Sequence, residues 1–439
     1  MTATTRRDFL KAAGLGIAAL AAGPKPAPAA GAREKRPNLI FILADDLGYG
    51  ELGCYGQEKI RTPALDRMAK EGLRFTRFHA GFPVCLPSRN TLMTGQHTGH
   101  CRCRKNGGGG SHPMLAAEDT TIAAVLKAAG YKTAMIGKWS LGDHFIGCVV
   151  ESKNTDGSGA IYRHGWDYYF GEPNQTSCHK YYPDQLYRYD RYGLVGRKTE
   201  GDRLDVVPLA GNSKKRTHYT HDLLTEHALA FIDAAKDSPF FLYVPYTIPH
   251  SEHVVPELEP YAKAAGWQQK EKVYASMISR MDRDVGRIIQ RLRKHAIDRN
   301  TLVMFTSDNG PAGPKLFNGS GPLPGRKGQF TLGGVRVPCI AYWPGTIQAG
   351  RTTDLLSAFW DVMPTFAELA GIEPPAPIDG ISMVPTLRGR GEQAEHKYLF
   401  FGAGGRRLIL RGKSETRGDD EIAKEAVSGV VVPKFTAKG

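Results

Sequence analysis

No stretch of this 439-residue chain is apolar enough to span a bilayer. Such a helix needs about 20 apolar residues, and the apolar run Ala12–Ala22 is short and glycine-rich. Acidic residues are the minority charge: 44 Asp and Glu against 58 Lys and Arg leave a formal net charge of +14. That surplus points to an anionic substrate or partner. The cations are scattered, with short clusters at Arg102–Lys105 and Lys214–Arg216. With neither a basic stripe nor a nucleic-acid-binding motif, nucleic acid is excluded as the partner. Only seven cysteines occur (54, 85, 101, 103, 148, 178 and 339). Cys101-Arg102-Cys103 is not a C-x-x-C pair and has no second pair, which argues against a zinc site. There is no internal repeat, and no low-complexity segment beyond Gly107–Gly110. The apolar share of 41% and the charged share of 23% exclude a disordered or fibrous chain.

The segment Thr5-Arg6-Arg7-Asp8-Phe9-Leu10-Lys11, followed by the weakly apolar Ala12–Gly23 and the A-x-A spacing Ala27-Pro28-Ala29, resembles a bacterial twin-arginine export signal. Residues 1–30 are therefore read as a signal peptide. The expected destination is the periplasm or the exterior, with the twin-arginine translocase as partner; that route carries folded proteins. An odd cysteine count in an exported protein leaves at least one thiol unpaired or modified.

From there the pattern is α/β. Apolar runs at Asn38–Ala44, Lys132–Ile136, Phe240–Val244, Leu302–Thr306 and Val337–Tyr342 predict strands, the first buried on both faces. Thr62–Glu71, Thr120–Ala129, Thr220–Ala235, Lys270–His295 and a segment near Ser357–Ala370 predict helices. Their alternation predicts a mainly parallel sheet flanked by helices. Residues 142–218, rich in Gly, Tyr and charge, read as a long functional loop. The expected boundaries are a catalytic domain over 31–385 and a small C-terminal subdomain over 386–439.

Three polar groups follow strand ends, the edge where open α/β sheets bind ligands. Asp45-Asp46 and Asp308-Asn309 offer carboxylate and amide oxygens, a donor set for a hard cation and not for zinc. His250 follows the Phe240–Val244 strand. Elsewhere, Cys85-Leu86-Pro87-Ser88-Arg89 opens a helix, because Pro and Ser suit a first turn. Cys85 then sits where backbone N–H groups favour an anion.

Cys85-x-Pro87-Ser88-Arg89-x-x-Leu92-x-Thr94-Gly95 resembles the first signature of the sulfatase family, and Gly130-Tyr131-Lys132-Thr133-Ala134-Met135-Ile136-Gly137-Lys138-Trp139 resembles the second. Asp45-Asp46, Pro249-His250, Asp308-Asn309-Gly310 and Gly325-Arg326-Lys327-Gly328 follow the family's order. The resemblance covers about residues 36–400. It implies an alkaline-phosphatase-like fold and a sulfuric ester hydrolase. It implies that a maturation enzyme oxidises Cys85 to formylglycine, whose hydrate attacks sulfur from one hydroxyl and expels sulfate by deprotonation of the other. It implies one divalent cation, calcium rather than magnesium, on Asp45, Asp46, Asp308, Asn309 and residue 85. Lys138 and Lys327 would clamp sulfuryl oxygens, Arg89 would orient residue 85, and His250 would contact sulfate or protonate the leaving oxygen. His179, before Tyr181-Tyr182-Pro183, joins the substrate-binding set. The substrate implied is a sulfated carbohydrate or an aryl sulfate.

The chain departs from the family at two motif positions. Trp139-Ser140-Leu141-Gly142 stands where Trp-His-Leu-Gly is common, which opens the question of the elimination base; His144, His164 and His179 are the candidate substitutes. Thr331-Leu332-Gly333-Gly334 lacks a frequent Glu. Beyond Gly402 the chain is Arg- and Gly-rich, with Leu408–Leu410 and Val430–Val432 as its apolar runs, so the C-terminal subdomain is expected to be shortened. Two other readings stay open: a phosphodiesterase or phosphonate hydrolase of the same superfamily, and an inactive relative that binds sulfated glycans.

Overall fold

Six of the seven residues of the first strand alternate between two separate cores. Strand β1 (Asn38–Ala44) sends Leu39, Phe41 and Leu43 into one apolar cluster and Ile40, Ile42 and Ala44 into the other. A strand apolar on both faces belongs in the middle of a sheet covered on both sides, and that is where β1 lies. The computed structural model describes residues 36–106, 115–142, 158–175, 177–403 and 405–411. The signal segment 1–30, the glycine run 107–110, His144, Cys148 and Val430–Val432 lie outside the described residues.

The remaining strands are β2 (Leu73–Phe75), β3 (Phe78–His79), β4 (Lys132–Ile136), β5 (Tyr168–Gly171), β6 (Gln185–Asp190), β7 (Asp205–Pro208), β8 (Phe240–Pro245), β9 (Thr301–Ser307), β10 (Cys339–Tyr342), β11 (Arg351–Thr353), β12 (Ser357–Ala358), β13 (Leu399–Ala403) and β14 (Arg406–Leu410). Ten form one sheet in the order β11-β2-β10-β9-β1-β8-β4-β5-β6-β7. Its centre, β9-β1-β8-β4-β5, is parallel throughout. Strand β10 is antiparallel to both neighbours, and β6 and β7 extend the other edge antiparallel.

Helices cover both faces. On the Leu39 side lie residues of α2 (Cys85–Thr94), α3 (Ile122–Ala128) and α6 (Val362–Ala370); on the Ile40 side lie those of α1 (Pro63–Lys70), α4 (Thr220–Ala235) and α5 (Gln269–Lys294). Pro opens α1, and the Thr121 side chain caps α3 through the Ala124 N–H. Helix α5 starts with a Gln268/Glu271 capping box. The β13–β14 hairpin lays Leu399, Phe401, Leu408 and Leu410 against Leu356, Ala358 and Trp360.

Two sequence expectations need correction. Residues 142–218 are not one long loop: among the described residues they hold β5, β6, β7 and a short helical turn at Asn212–Lys215. Strand β7 alternates between partly buried and exposed, and β6 is buried at only half its positions, so neither carries an apolar run. The helix near Ser357–Ala370 is three pieces: β12, a 3-10 turn at Phe359–Asp361, and α6.

Candidate active site

Four adjacent parallel strands deliver the polar groups to one edge. Reading across the sheet, β9 ends before Asp308-Asn309, β1 before Asp45-Asp46, β8 five residues before His250, and β4 two residues before Lys138. Local backbone chemistry sets their aim. Asp46 sits at φ +67°, a left-handed conformation that Asp tolerates. Its N–H donates to Asp308 Oδ1 at 3.1 Å, and the Leu47 N–H donates to Ser307 Oγ at 2.9 Å. Gly137 lets β4 dive beneath β8: a Cβ there would lie 2.0 Å from the Pro245 carbonyl oxygen. The Lys138 N–H then donates to that carbonyl at 3.0 Å.

Cys85 is the first residue of α2, 1% exposed, with Sγ 3.6 Å from Asp45 Oδ1. Around it, three buried carboxylates face three cations. Asp45 Oδ2 takes Lys138 Nζ at 2.8 Å and lies 3.4 Å from Arg89 Nη2. Asp46 Oδ2 takes Lys327 Nζ at 2.7 Å and lies 3.4 Å from His250 Nε2. Asp308 Oδ2 takes Arg89 Nε at 3.0 Å and Nη2 at 2.8 Å. The Arg89 Nη1 donates to the Lys138 carbonyl at 3.3 Å. His179 and His250 stack with ring centroids 3.5 Å apart, and His179 Nε2 lies 3.1 Å from Lys138 Nζ. His250 Nδ1 pairs with the Ser251 carbonyl, which turns Nε2 toward Asp46.

Burial and charge pull these groups apart in acidity. Burial works to raise Asp45, but Lys138, His250 and Arg89 more than offset it and hold its carboxyl well below the usual range. Burial and the Asp45 charge push Asp308 up to about 6. Burial, with Lys138 beside it, pushes His179 down to about 3, so its ring is neutral. Burial carries the Cys85 thiol well above its ordinary value in spite of Lys138. A neutral, buried thiol is a poor nucleophile.

The donor set fits a hard cation. Asn309 donates Nδ2 to Asp46 Oδ1 at 2.7 Å and leaves its own Oδ1 buried with no hydrogen-bond partner. An orphaned amide oxygen among three carboxylates is what a calcium-type ion satisfies. Ligand atoms of Asp45, Asp46, Cys85 and His250 lie within 4.8 Å of one another.

The structure thus brings together Asp45, Asp46, Cys85, Arg89, Lys138, His179, His250, Asp308, Asn309 and Lys327. His164 is elsewhere: it is buried, Nε2 pairs with the Ser158 carbonyl at 2.8 Å, and its ring lies against Trp139. Ser140 is buried at φ +61° with an unpartnered Oγ. One residue escaped the sequence reading. Glu51, fully buried behind the Asp46 turn, accepts from the Gly48 N–H at 2.6 Å and the Tyr274 hydroxyl at 2.8 Å. An acid inside the small, apolar stretch Leu47–Leu52 was the available signal.

Comparison with known proteins decides the family. A family model described as Sulfatase matches residues 37–372. The chain belongs to the sulfatase family. This sulfatase is 35% identical to N-acetylgalactosamine-6-sulfatase of Sus scrofa over 405 residues, 87% of this chain and 69% of that protein. It is 30% identical to steryl-sulfatase of Mus musculus over 456 residues, with the same two shares. It superposes on the crystal structure of Ps i-CgsB in complex with k-i-k-neocarrahexaose with a TM-score of 0.69 at 29% identity, covering 86% of this chain and 84% of that one. The fold is that of the alkaline-phosphatase superfamily, and sulfate ester hydrolysis is the activity its relatives carry in their names. Among the described residues no helix is long and apolar enough to cross a membrane.

Proposed function

We propose that this sulfatase desulfates carbohydrates, with residue 85, converted from Cys85 to formylglycine, as nucleophile and one calcium ion on Asp45, Asp46, Asp308, Asn309 and residue 85. The observation that carries the reading is the convergence on Cys85 of an oxygen donor set and three cations, Arg89 and Lys138 buried and Lys327 partly so. Two similar proteins named above, one an N-acetylgalactosamine-6-sulfatase and one solved with a neocarrahexaose, support a sugar substrate.

When bound, the cation supplies charge for the sulfuryl oxygens and lowers the pKa of the attacking hydroxyl. The chain's own residues do the rest. Arg89 bridges Asp308 and Asp45, fixing the carboxylates beneath residue 85. Lys138, on Asp45, and Lys327, on Asp46, would bind sulfuryl oxygens, where negative charge grows. His250, aimed through Nε2, stands near the leaving oxygen and gives it a proton. His179, held against His250 and Lys138, is the one of the three substitute histidines that lies in the site among the described residues; a sulfate beside it would offset the Lys138 charge and raise its low pKa, so that it can receive the proton released on sulfate expulsion. Ordered this way, the site neutralises charge as it forms.

Peptide mass spectrometry of active protein tests the nucleophile. The expected result is residue 85 without sulfur, and no sulfate release from Cys85→Ala; an unmodified thiol in fully active protein refutes it. Elemental analysis tests the cation: one calcium per chain is expected, lost in Asp308→Ala, whereas two zinc ions per chain would favour a phosphatase-like site.

A further inference from the structure

Beside the reaction centre lies a second basic pocket. The turn Gly325–Gly328 serves two places at once. Lys327 reaches inward to Asp46, and the Gly328 N–H donates to the Pro83 carbonyl at 2.7 Å, two residues before Cys85. Arg326, next in line, turns the other way and donates to the Gly313 carbonyl at 3.3 Å. There it joins Lys270 at the start of α5 and Lys315 to line a cavity of about 450 Å³, with His253 and Glu271 completing the polar wall. That volume is within the range of ligand sites. His253, three residues after His250, lines the cavity: its ring lies against Tyr274, 5.1 Å between centroids, and it feels the charges of His250 and Asp46.

Arg326 acts electrostatically on the buried Glu51, and Lys270 and Lys315 leave the rest of the pocket's charge unspent. Among the described residues, none of Lys270, Lys315 and Arg326 forms an ion pair with a carboxylate. The one acid, Glu271, is committed to capping α5, where it accepts the Gln268 N–H at 2.7 Å. Three exposed cations around a cavity, none in an ion pair among the described residues, form a site for an anion.

We infer that this pocket is a second anion subsite, which holds a sulfate or carboxylate on the sugar next to the one being desulfated. The inference rests on the sulfatase reading above and deepens it: the preferred substrate carries at least two anionic groups. The subsite reads charge and not ring identity, so sulfate and uronate carboxylate are both within its chemistry.

The test compares kcat/KM at low salt for three kinds of substrate. These are a disulfated disaccharide against its monosulfated counterpart, a sulfated uronate disaccharide against its carboxyl-reduced counterpart, and 4-nitrophenyl sulfate alone. Wild type should favour at least one doubly anionic sugar about tenfold, mainly through KM, in line with two exposed ion pairs. In Lys270→Gln/Lys315→Gln the preference should fall to near one, while kcat on 4-nitrophenyl sulfate holds. The arm that shows the preference tells sulfate from carboxylate. No preference in either arm, a preference retained by the variant, or an equal loss on 4-nitrophenyl sulfate overturns the subsite. If wild type releases sulfate from none of these, the sulfatase reading fails by itself. Calorimetric binding of the same sugars then judges the subsite, and equal affinity for wild type and variant overturns it.

Discussion

Replacing Arg89 with Leu removes the guanidinium that joins two buried carboxylates. Arg89 is 1% exposed, makes two hydrogen bonds to Asp308 Oδ2 at 3.0 and 2.8 Å, and lies 3.4 Å from Asp45. Breaking a buried pair from one side costs about 3–5 kcal/mol, against a total stability of about 5–15 kcal/mol. The cost depends on pH, and the direction follows from Asp308. Its carboxyl is already pushed up to about 6 by burial and Asp45, from an ordinary value of 3.8. Loss of Arg89 pushes it higher. A raised acid keeps in the folded state a proton that the unfolded chain has released, so stability is lost as pH rises through that window. Each unit of further shift adds about 1.4 kcal/mol. In chelator-treated protein, urea unfolding followed by tryptophan fluorescence should show Arg89→Leu less stable than wild type by about 4 kcal/mol at pH 8 and by at least 1 kcal/mol less than that at pH 5. Arg89→Lys, which keeps the charge but not the fork, should fall between. A deficit below about 1 kcal/mol at pH 8, or one that does not change with pH, refutes the reasoning.

Other outcomes follow from the same site. Glu51 is pushed up to about 7 by burial, so Glu51→Gln, which keeps both hydrogen-bond acceptor contacts without a charge, should match wild type near pH 4.5 and exceed it by about 2–3 kcal/mol at pH 8; a less stable variant at pH 8 counts against the buried-charge account. His179→Ala should slow turnover by about 10²–10⁴-fold with a burst of one equivalent of alcohol, whereas His164→Phe, away from the site, should keep turnover. Equal rates for the two would remove His179 from the reaction. Changing Arg6 and Arg7 together to Lys should strand the precursor in the cytoplasm by fractionation, and normal export would assign another route.

The strands that build the site were the easiest to read. β1, β4, β8 and β9 are covered on both faces, so their sequences are continuous apolar runs, and the polar residues after them mark the ligand edge. The outer strand β7 and its neighbour β6 were not legible, because a partly exposed strand alternates weakly and here carries Arg, Tyr and Asp. Within the site, motif positions named the residues but not their pairings. Asp308 and Arg89 are 219 residues apart, and nothing in either segment states that a guanidinium will bridge Asp308 and Asp45. The choice among histidines was likewise tertiary: His179 enters because the turn after β5 folds back over Lys138, and His164 leaves because it pairs with the Ser158 carbonyl. Glu51 was overlooked because a buried acid and a solvated one look alike in sequence.

All ten residues of α2, from Cys85 to Thr94, are buried. A helix so enclosed offers no strip along which another protein could grip residues 85, 87 and 89 together. The proposed oxidation of Cys85 therefore has a deadline set by folding: it has to happen while this stretch is still extended chain, before the sheet closes over it. A molecule that folds first is locked in its thiol form, stable and inert. The yield of active enzyme is thus a race between two rates, and slower folding, by colder growth or a weakened core, should raise the fraction that wins it.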